Sequence, residues 1–169
     1  MDGRLSRVPP QPAPSLDEAA AVRRLIDHAR AEQREIDLGE AWAALHFLIA
    51  AEIPMPKPVA LERGLSWSAD SMENVLMGGR STAYGASYGP ARYLGPREVA
   101  RLAARLGSLD VEEVFARYDP TALNGESIPP GDWSDDPETR GWLRDRYVAL
   151  VDFYRTAADH GEAILLYMI

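Results

Sequence analysis

The most uniformly apolar part of the chain predicts a buried central helix. Almost every residue from 38 to 49 is apolar, including Trp42, and His46 is the polar exception within the run 41–49. A helix without a polar face is expected to be covered on all sides. Asp37 directly precedes this run, and we expect it to cap the start of the helix.

Other segments show the spacing of amphipathic helices. Ser15 is a suitable N-cap for a helix that reaches about Gln33, with apolar residues on one face. Residues 96–107 repeat the spacing, and a short helix capped by Asp110 follows. The longest helix is predicted between Pro137 and Gly161.

The strand signals predict a small sheet. Residues 163–169 are apolar without alternation, which is typical of a strand covered on both faces. Residues 3–8 and the tyrosine- and glycine-rich residues 84–94 are further strand candidates. Residues 52–67 carry three prolines and predict a long surface loop.

Together these patterns predict the α+β class. We expect a single domain in which a small, mostly antiparallel sheet packs against the buried central helix and the long C-terminal helix. Residues 1–14 are predicted as an N-terminal strand and proline-rich segment, and residues 15–169 as the domain itself.

Composition excludes several classes of function. The chain of 169 residues has no cysteine, which rules out disulfides, thiol nucleophiles and cysteine-ligated metals. Its formal net charge of −8 opposes nucleic-acid binding, which depends on neutralising phosphates. The longest apolar run, residues 41–51, is too short to span a membrane. Without a secretory signal, we expect a cytoplasmic protein.

A G-x-S-x-G pattern at residues 85–89 raises the question of a serine nucleophile. The pattern occurs at the nucleophile elbow of hydrolases, where Ser87 would attack with His160 as its base. That elbow requires a helix directly after the turn, whereas Pro90 and an extended stretch follow here. An irregular strand is therefore favoured over a hydrolase site.

The three histidines do not form a metal motif. His28, His46 and His160 are far apart in the sequence, and none belongs to a zinc-binding pattern. Residues 78–82 are rich in glycine but lack the ending of a phosphate-binding P-loop. We therefore expect neither a metal nor a cofactor.

His46 has two interpretations. It lies one helical turn after Trp42, so both side chains point the same way from an apolar helix. In a functional site His46 would act as an acid, a base or a ligand, with Trp42 as a pocket wall. The alternative is a buried, neutral histidine with a structural role. In both cases we expect it to be buried and uncharged at pH 7.

Several ordered segments resemble one bacterial family. Residues 36–49 are similar to the hallmark of the YfbM-like family, whose members carry a domain of unknown function. Further similar segments follow in the same order: 89–94, 118–120, Trp133 and 161–167. The resemblance implies a compact α+β domain and a ligand-binding site at five residues, but no reaction. These are Asp37, Trp42, His46, Arg92 and Tyr93.

Two hypotheses of function follow. The first is a non-enzymatic binding or protein-interaction module, because the chain is small and acidic and lacks an activated nucleophile or a metal set. The alternative is an enzyme or small anionic-ligand binder built on Trp42, His46, Arg92 and Tyr93. The expected partner is a protein or a small ligand, not nucleic acid or a membrane. We expect a monomer or a weak homodimer.

Overall fold

An antiparallel five-stranded sheet in the order β2-β1-β5-β4-β3 organises the protein. The computed structural model describes residues 1–50 and 71–169, so the loop predicted at 52–67 lies outside the described residues. The strands are β1 Gly3–Val8, β2 Glu35–Gly39, β3 Arg80–Ala86, β4 Gly89–Leu94 and β5 Ala163–Met168.

The described helices surround this sheet. They are α1 Ala13–Leu16, α2 Ala19–Ala31, α3 Ala41–Ala50, α4 Asn74–Met77, α5 Pro96–Ser108, α6 Val111–Phe115, α7 Pro120–Gly125 and α8 Pro137–Asp159. Buried α3 and long α8 share one core, which confirms the predicted α+β fold. No helix within the described ranges combines the length and the apolar character that crossing a membrane requires.

The C-terminal strand β5 occupies the centre of the sheet. It pairs with β1 on one edge and with β4 on the other, so Leu166 lies between Leu5 and Arg92. All six of its residues are buried. The predicted strand covered on both faces is thereby confirmed.

The two faces of the sheet support separate apolar clusters. Alternate residues of a strand point to opposite faces, and β5 shows the division clearly. Leu166 belongs to the larger cluster with α3 and α8. Leu165 belongs to the smaller one with Ile26 of α2.

The prediction of one helix from Ser15 to Gln33 is wrong at its start. Residues before Asp17 form the separate α1, which contains Ser15, and α2 starts after Glu18. Pro14 occupies the first turn of α1, where a missing N–H costs little. The break at Asp17 lets its carboxylate pair with Arg80 at 2.6 Å.

Asp37 does not cap the central helix. It lies in the edge strand β2, opposite Arg4 of β1, and α3 begins only at Ala41. Gly39, with φ of +53°, turns the chain between strand and helix. The strand was missed because its few residues adjoin the long apolar run of α3.

Residues 84–94 contain the end of β3, a turn and all of β4, so they belong to a hairpin and not to one irregular strand. β3 starts earlier, at Arg80, and β4 follows a tight turn at Ser87 and Tyr88. A smaller difference concerns α5, which continues through Gly107 to Ser108.

Candidate functional site

The hairpin places Arg92 and Tyr93 on opposite faces of the sheet. Tyr93 is 8% exposed and packs in the smaller cluster beside α2. Its hydroxyl accepts a hydrogen bond of 2.8 Å from the backbone N–H of Gln11. Burial raises the pKa of this phenol. Tyr93 therefore cannot share one cavity with Arg92.

Arg92 uses its guanidinium to hold neighbouring backbone in place. Nε donates to the Gly78 carbonyl at 3.0 Å, and Nη2 donates to the Gly79 carbonyl at 2.7 Å. Nη1 donates to the Ser81 hydroxyl at 3.5 Å. Burial lowers the pKa of the guanidinium. These bonds fasten the connection between α4 and β3 to β4.

The acidic residues Asp37 and Glu162 form ion pairs with arginines other than Arg92. Asp37 pairs with Arg4 at 2.9 Å. Glu162 pairs with Arg34 at 3.2 Å and with Arg7 at 3.4 Å. The cavity that described residues form beside Arg92 measures about 20 Å³. That volume suits about one water molecule.

Trp42 and His46 are interior residues of α3. The indole N–H of Trp42 donates to the Met1 carbonyl at 3.2 Å. Its side chain packs so closely on Gly3 that a Cβ there would lie 2.6 Å from the tryptophan Cβ. His46 is 1% exposed, and Nε2 has no hydrogen-bond partner among the described residues. The predicted burial of His46 is confirmed, and burial lowers the pKa of its imidazole to about 4.

The buried His46 predicts a pH-dependent loss of stability. Its folded pKa of about 4 lies below the value of about 6.5 in an unfolded chain, so the unfolded state binds the proton more tightly. The contribution of the neutral His46 to the free energy of unfolding is fully present above about pH 6.5 and is lost as the pH falls toward 4. It amounts to about 3 kcal/mol.

This prediction is checked by urea unfolding between pH 4 and 7 of wild type and His46→Met. Carboxylates contribute equally to both proteins, so the difference between the two pH profiles isolates His46. The variant should lose less stability on acidification. His28→Gln removes an exposed histidine and serves as the control. Parallel profiles for wild type and His46→Met would contradict the assignment.

Sequence reasoning did not identify the surface at the start of α8. An open groove of about 410 Å³ lies there, which we call the tryptophan groove. Its lining includes Pro130, Asp132, Trp133, Glu138, Thr139 and Trp142. Trp133 belonged to the segments of the family resemblance, whereas Trp142 lies off the buried stripe of α8. The sequence signal that could have indicated this surface was a tryptophan outside the buried stripe of α8.

The floor of the tryptophan groove is held rigidly. Asn124 of α7 brackets Trp133, because its amide accepts from the Trp133 N–H at 2.9 Å and donates to the Trp133 carbonyl at 2.8 Å. The indole N–H donates to the Ile128 carbonyl at 2.8 Å. Trp133 is 4% exposed, whereas Trp142 is 38% exposed. The centroids of the two rings lie 6.2 Å apart.

Asp136 sets the geometry of the helix start beside the groove. Its carboxylate accepts from the Ser134 hydroxyl and from the Thr139 backbone N–H, the latter at 2.8 Å. These bonds, led by the one from Ser134, hold the pKa of Asp136 well below its ordinary value. The bonds cap α8 and orient its first turn toward the groove.

The charges around the groove are not balanced. Asp132 and Glu138 have no ion pair within the described ranges, and no lining residue is cationic. A neighbouring groove of about 560 Å³ differs, because there Arg144 pairs with Glu112 and Arg140 pairs with Asp135. The tryptophan groove therefore combines aromatic surface with uncompensated negative charge.

The structure also bears on the serine and metal interpretations. Ser87 lies in the hairpin turn between two strands, without the helix that a nucleophile elbow requires. No cluster of histidine and acidic residues in the part of the chain that the structure describes suits a metal ion. The G-x-S-x-G pattern is thus a hairpin sequence.

Comparisons with known proteins give one family and one fold. A family model described as "Domain of unknown function (DUF1877)" matches residues 11–167. Among solved structures, a protein of unknown function, YfbM from Escherichia coli, is similar with a TM-score of 0.59 and 18% sequence identity, and all of each chain is covered. No curated protein matches. At this identity the structural likeness shows the fold alone.

Proposed function

The chain belongs to the DUF1877 family of domains of unknown function, and from that premise we propose that it is a non-enzymatic protein-interaction module. The binding surface is the tryptophan groove. This proposal rests on one observation: a partly exposed tryptophan lies on a rigid aromatic floor beside carboxylates without ion pairs.

The properties of Trp142 fit a binding surface. Burial of tryptophan supplies a large share of the free energy of protein association, and hot spots are enriched in this residue. A side chain anchored on a rigid neighbour also loses little conformational entropy on binding. The hydrogen bonds around Trp133 provide that rigidity.

The alternative function has weaker support. An enzyme or anionic-ligand binder at Trp42, His46, Arg92 and Tyr93 needs these side chains around one cavity. Tyr93 lies across the sheet from Arg92, and the space beside Arg92 is about 20 Å³ among the described residues. A ligand pocket usually measures about 300–1,000 Å³. The tryptophan groove falls within this range.

The net charge supports the choice of partner. A charge of −8 repels nucleic acid and anionic membranes and attracts basic proteins. It also opposes tight self-association, which fits a monomer or a weak homodimer. We place the interaction in the cytoplasm.

Native mass spectrometry of the protein purified from its own host tests the proposed function. We expect a bound protein with wild type and with Val148→Ala, and its loss with Trp142→Ala. Val148 is also an exposed apolar residue of α8 but lies outside the groove, so it is the matched control. A bound small molecule that survives Trp142→Ala and is lost with Arg92→Lys would favour the alternative.

A further inference from the structure

The tryptophan groove has features that select among partner proteins. We propose that it binds an arginine-containing segment of the partner, with a guanidinium stacked on Trp142 and paired with Asp132 or Glu138. This inference rests on the proposed function and adds the chemistry of the partner.

Trp142 offers exposed aromatic surface. The residue is 38% exposed, and its ring centroid lies 6.2 Å from that of Trp133. Indole is the best of the aromatic side chains at attracting a cation placed over its ring. A planar guanidinium also stacks on such a face, which an ammonium group cannot do. Trp142 therefore favours arginine over lysine.

The acidic residues of the groove provide charge complementarity. Asp132 and Glu138 lie on the groove without a cationic neighbour in its lining. A carboxylate accepts two parallel hydrogen bonds from one guanidinium, so the pair is specific in geometry as well as in charge. An acidic or neutral segment would leave both carboxylates uncompensated. The groove is thus suited to a basic occupant.

The neighbouring groove is less suited to bind an arginine of a partner. Its carboxylates at Glu112 and Asp135 are already paired with arginines of α8. An incoming arginine would have to displace those side chains. The acidic groups of the tryptophan groove need no such displacement.

A second copy of the chain is a poor occupant. Each copy carries a net charge of −8, so two copies repel each other at low ionic strength. A basic segment of another protein is attracted by the same field. Electrostatic steering therefore favours a heterologous partner.

A titration with short peptides tests this inference directly. The full chain is labelled with 5-fluorotryptophan, and the resonances of its four tryptophans are followed by fluorine NMR. The probe is a capped peptide of alternating glycine and arginine. Matched peptides carry lysine or neutral citrulline in place of arginine. We expect the Trp142 resonance to shift with the arginine peptide, less with lysine and not with citrulline.

Charge variants locate the binding site. Asp132→Asn combined with Glu138→Gln should weaken the arginine peptide about three- to tenfold, as expected for two exposed ion pairs. Glu113→Gln also removes an acidic residue from the first turn of a helix but lies outside the groove, so it should leave the affinity unchanged. The fluorine spectra of each variant report whether it is folded.

Three results would overturn the inference. The arginine peptide could leave Trp142 unperturbed, or Glu113→Gln could weaken binding as much as the groove variant does. A shift of Trp142 that depends on protein concentration without peptide would identify a second copy as the occupant. If the peptide fails while Trp142→Ala still releases the partner in native mass spectrometry, the proposed function stands and only the arginine chemistry falls.

Discussion

A chain that ends at Glu162, without residues 163–169, is expected not to fold. β5 is the central strand, so its loss leaves the backbone groups of both β1 and β4 unpaired. It also exposes the two apolar clusters that β5 joins. Each large apolar side chain that is fully buried contributes about 1.5–3 kcal/mol, whereas the whole stability of a domain is about 5–15 kcal/mol.

Circular dichroism and a thermal melt of the truncated chain check this prediction. We expect no cooperative transition and recovery from the insoluble fraction. Removal of Ile169 alone is the control, because this residue follows β5 and is partly exposed. That shorter truncation should melt cooperatively with a modest loss of stability. A soluble, cooperatively melting chain without residues 163–169 would contradict the central role of β5.

Arg92→Ala is expected to destabilise the protein by about 3 kcal/mol and to leave its response to anions unchanged. The substitution removes the donors for the Gly78 and Gly79 carbonyls. A hydrogen bond from a charged group contributes about 1.5–3 kcal/mol, and an abandoned buried carbonyl adds a penalty. Because the guanidinium donates these hydrogen bonds within the protein, few of its N–H groups remain for a ligand.

Thermal melts with and without phosphate, sulfate and small carboxylates measure both effects. Arg97→Ala is the matched control, because Arg97 is an exposed arginine at the start of α5. A surface substitution of this kind changes stability by less than about 0.5 kcal/mol. If Arg92→Ala melts like Arg97→Ala while anions stabilise wild type and Arg97→Ala but not Arg92→Ala, Arg92 belongs to a binding site and the alternative function gains support.

The features with strong periodicity were predictable from the sequence. The apolar residues of β5 and α3, interrupted only by His46 in α3, required burial on all sides, and both elements lie in the core. The segments from residue 36 to 167 also predicted the YfbM-like family, which the family model and the shared fold confirm. In each of these cases the information is local and extends over many residues.

Short and tertiary features were not predictable. β2 is five residues long and runs almost directly into α3, so Asp37 looked like a helix cap. The separation of Arg92 and Tyr93 across the sheet, by contrast, follows from the period-two alternation of β4 and was predictable once this segment was taken as a strand. The tryptophan groove depends on the approach of Trp133, in the connection before α8, to Trp142 within it. No spacing rule for one helix or strand predicts that approach.

Site-specific photo-crosslinking in the native host tests the central claim most directly. A benzophenone amino acid replaces either Ser134, an exposed residue that lines the tryptophan groove and leaves Trp142 in place, or Tyr88, an exposed aromatic residue beside the cavity at Arg92. We predict a discrete crosslinked protein from position 134 and none from position 88. A protein crosslink from position 88 with none from position 134 would contradict the claim that the tryptophan groove is the binding surface.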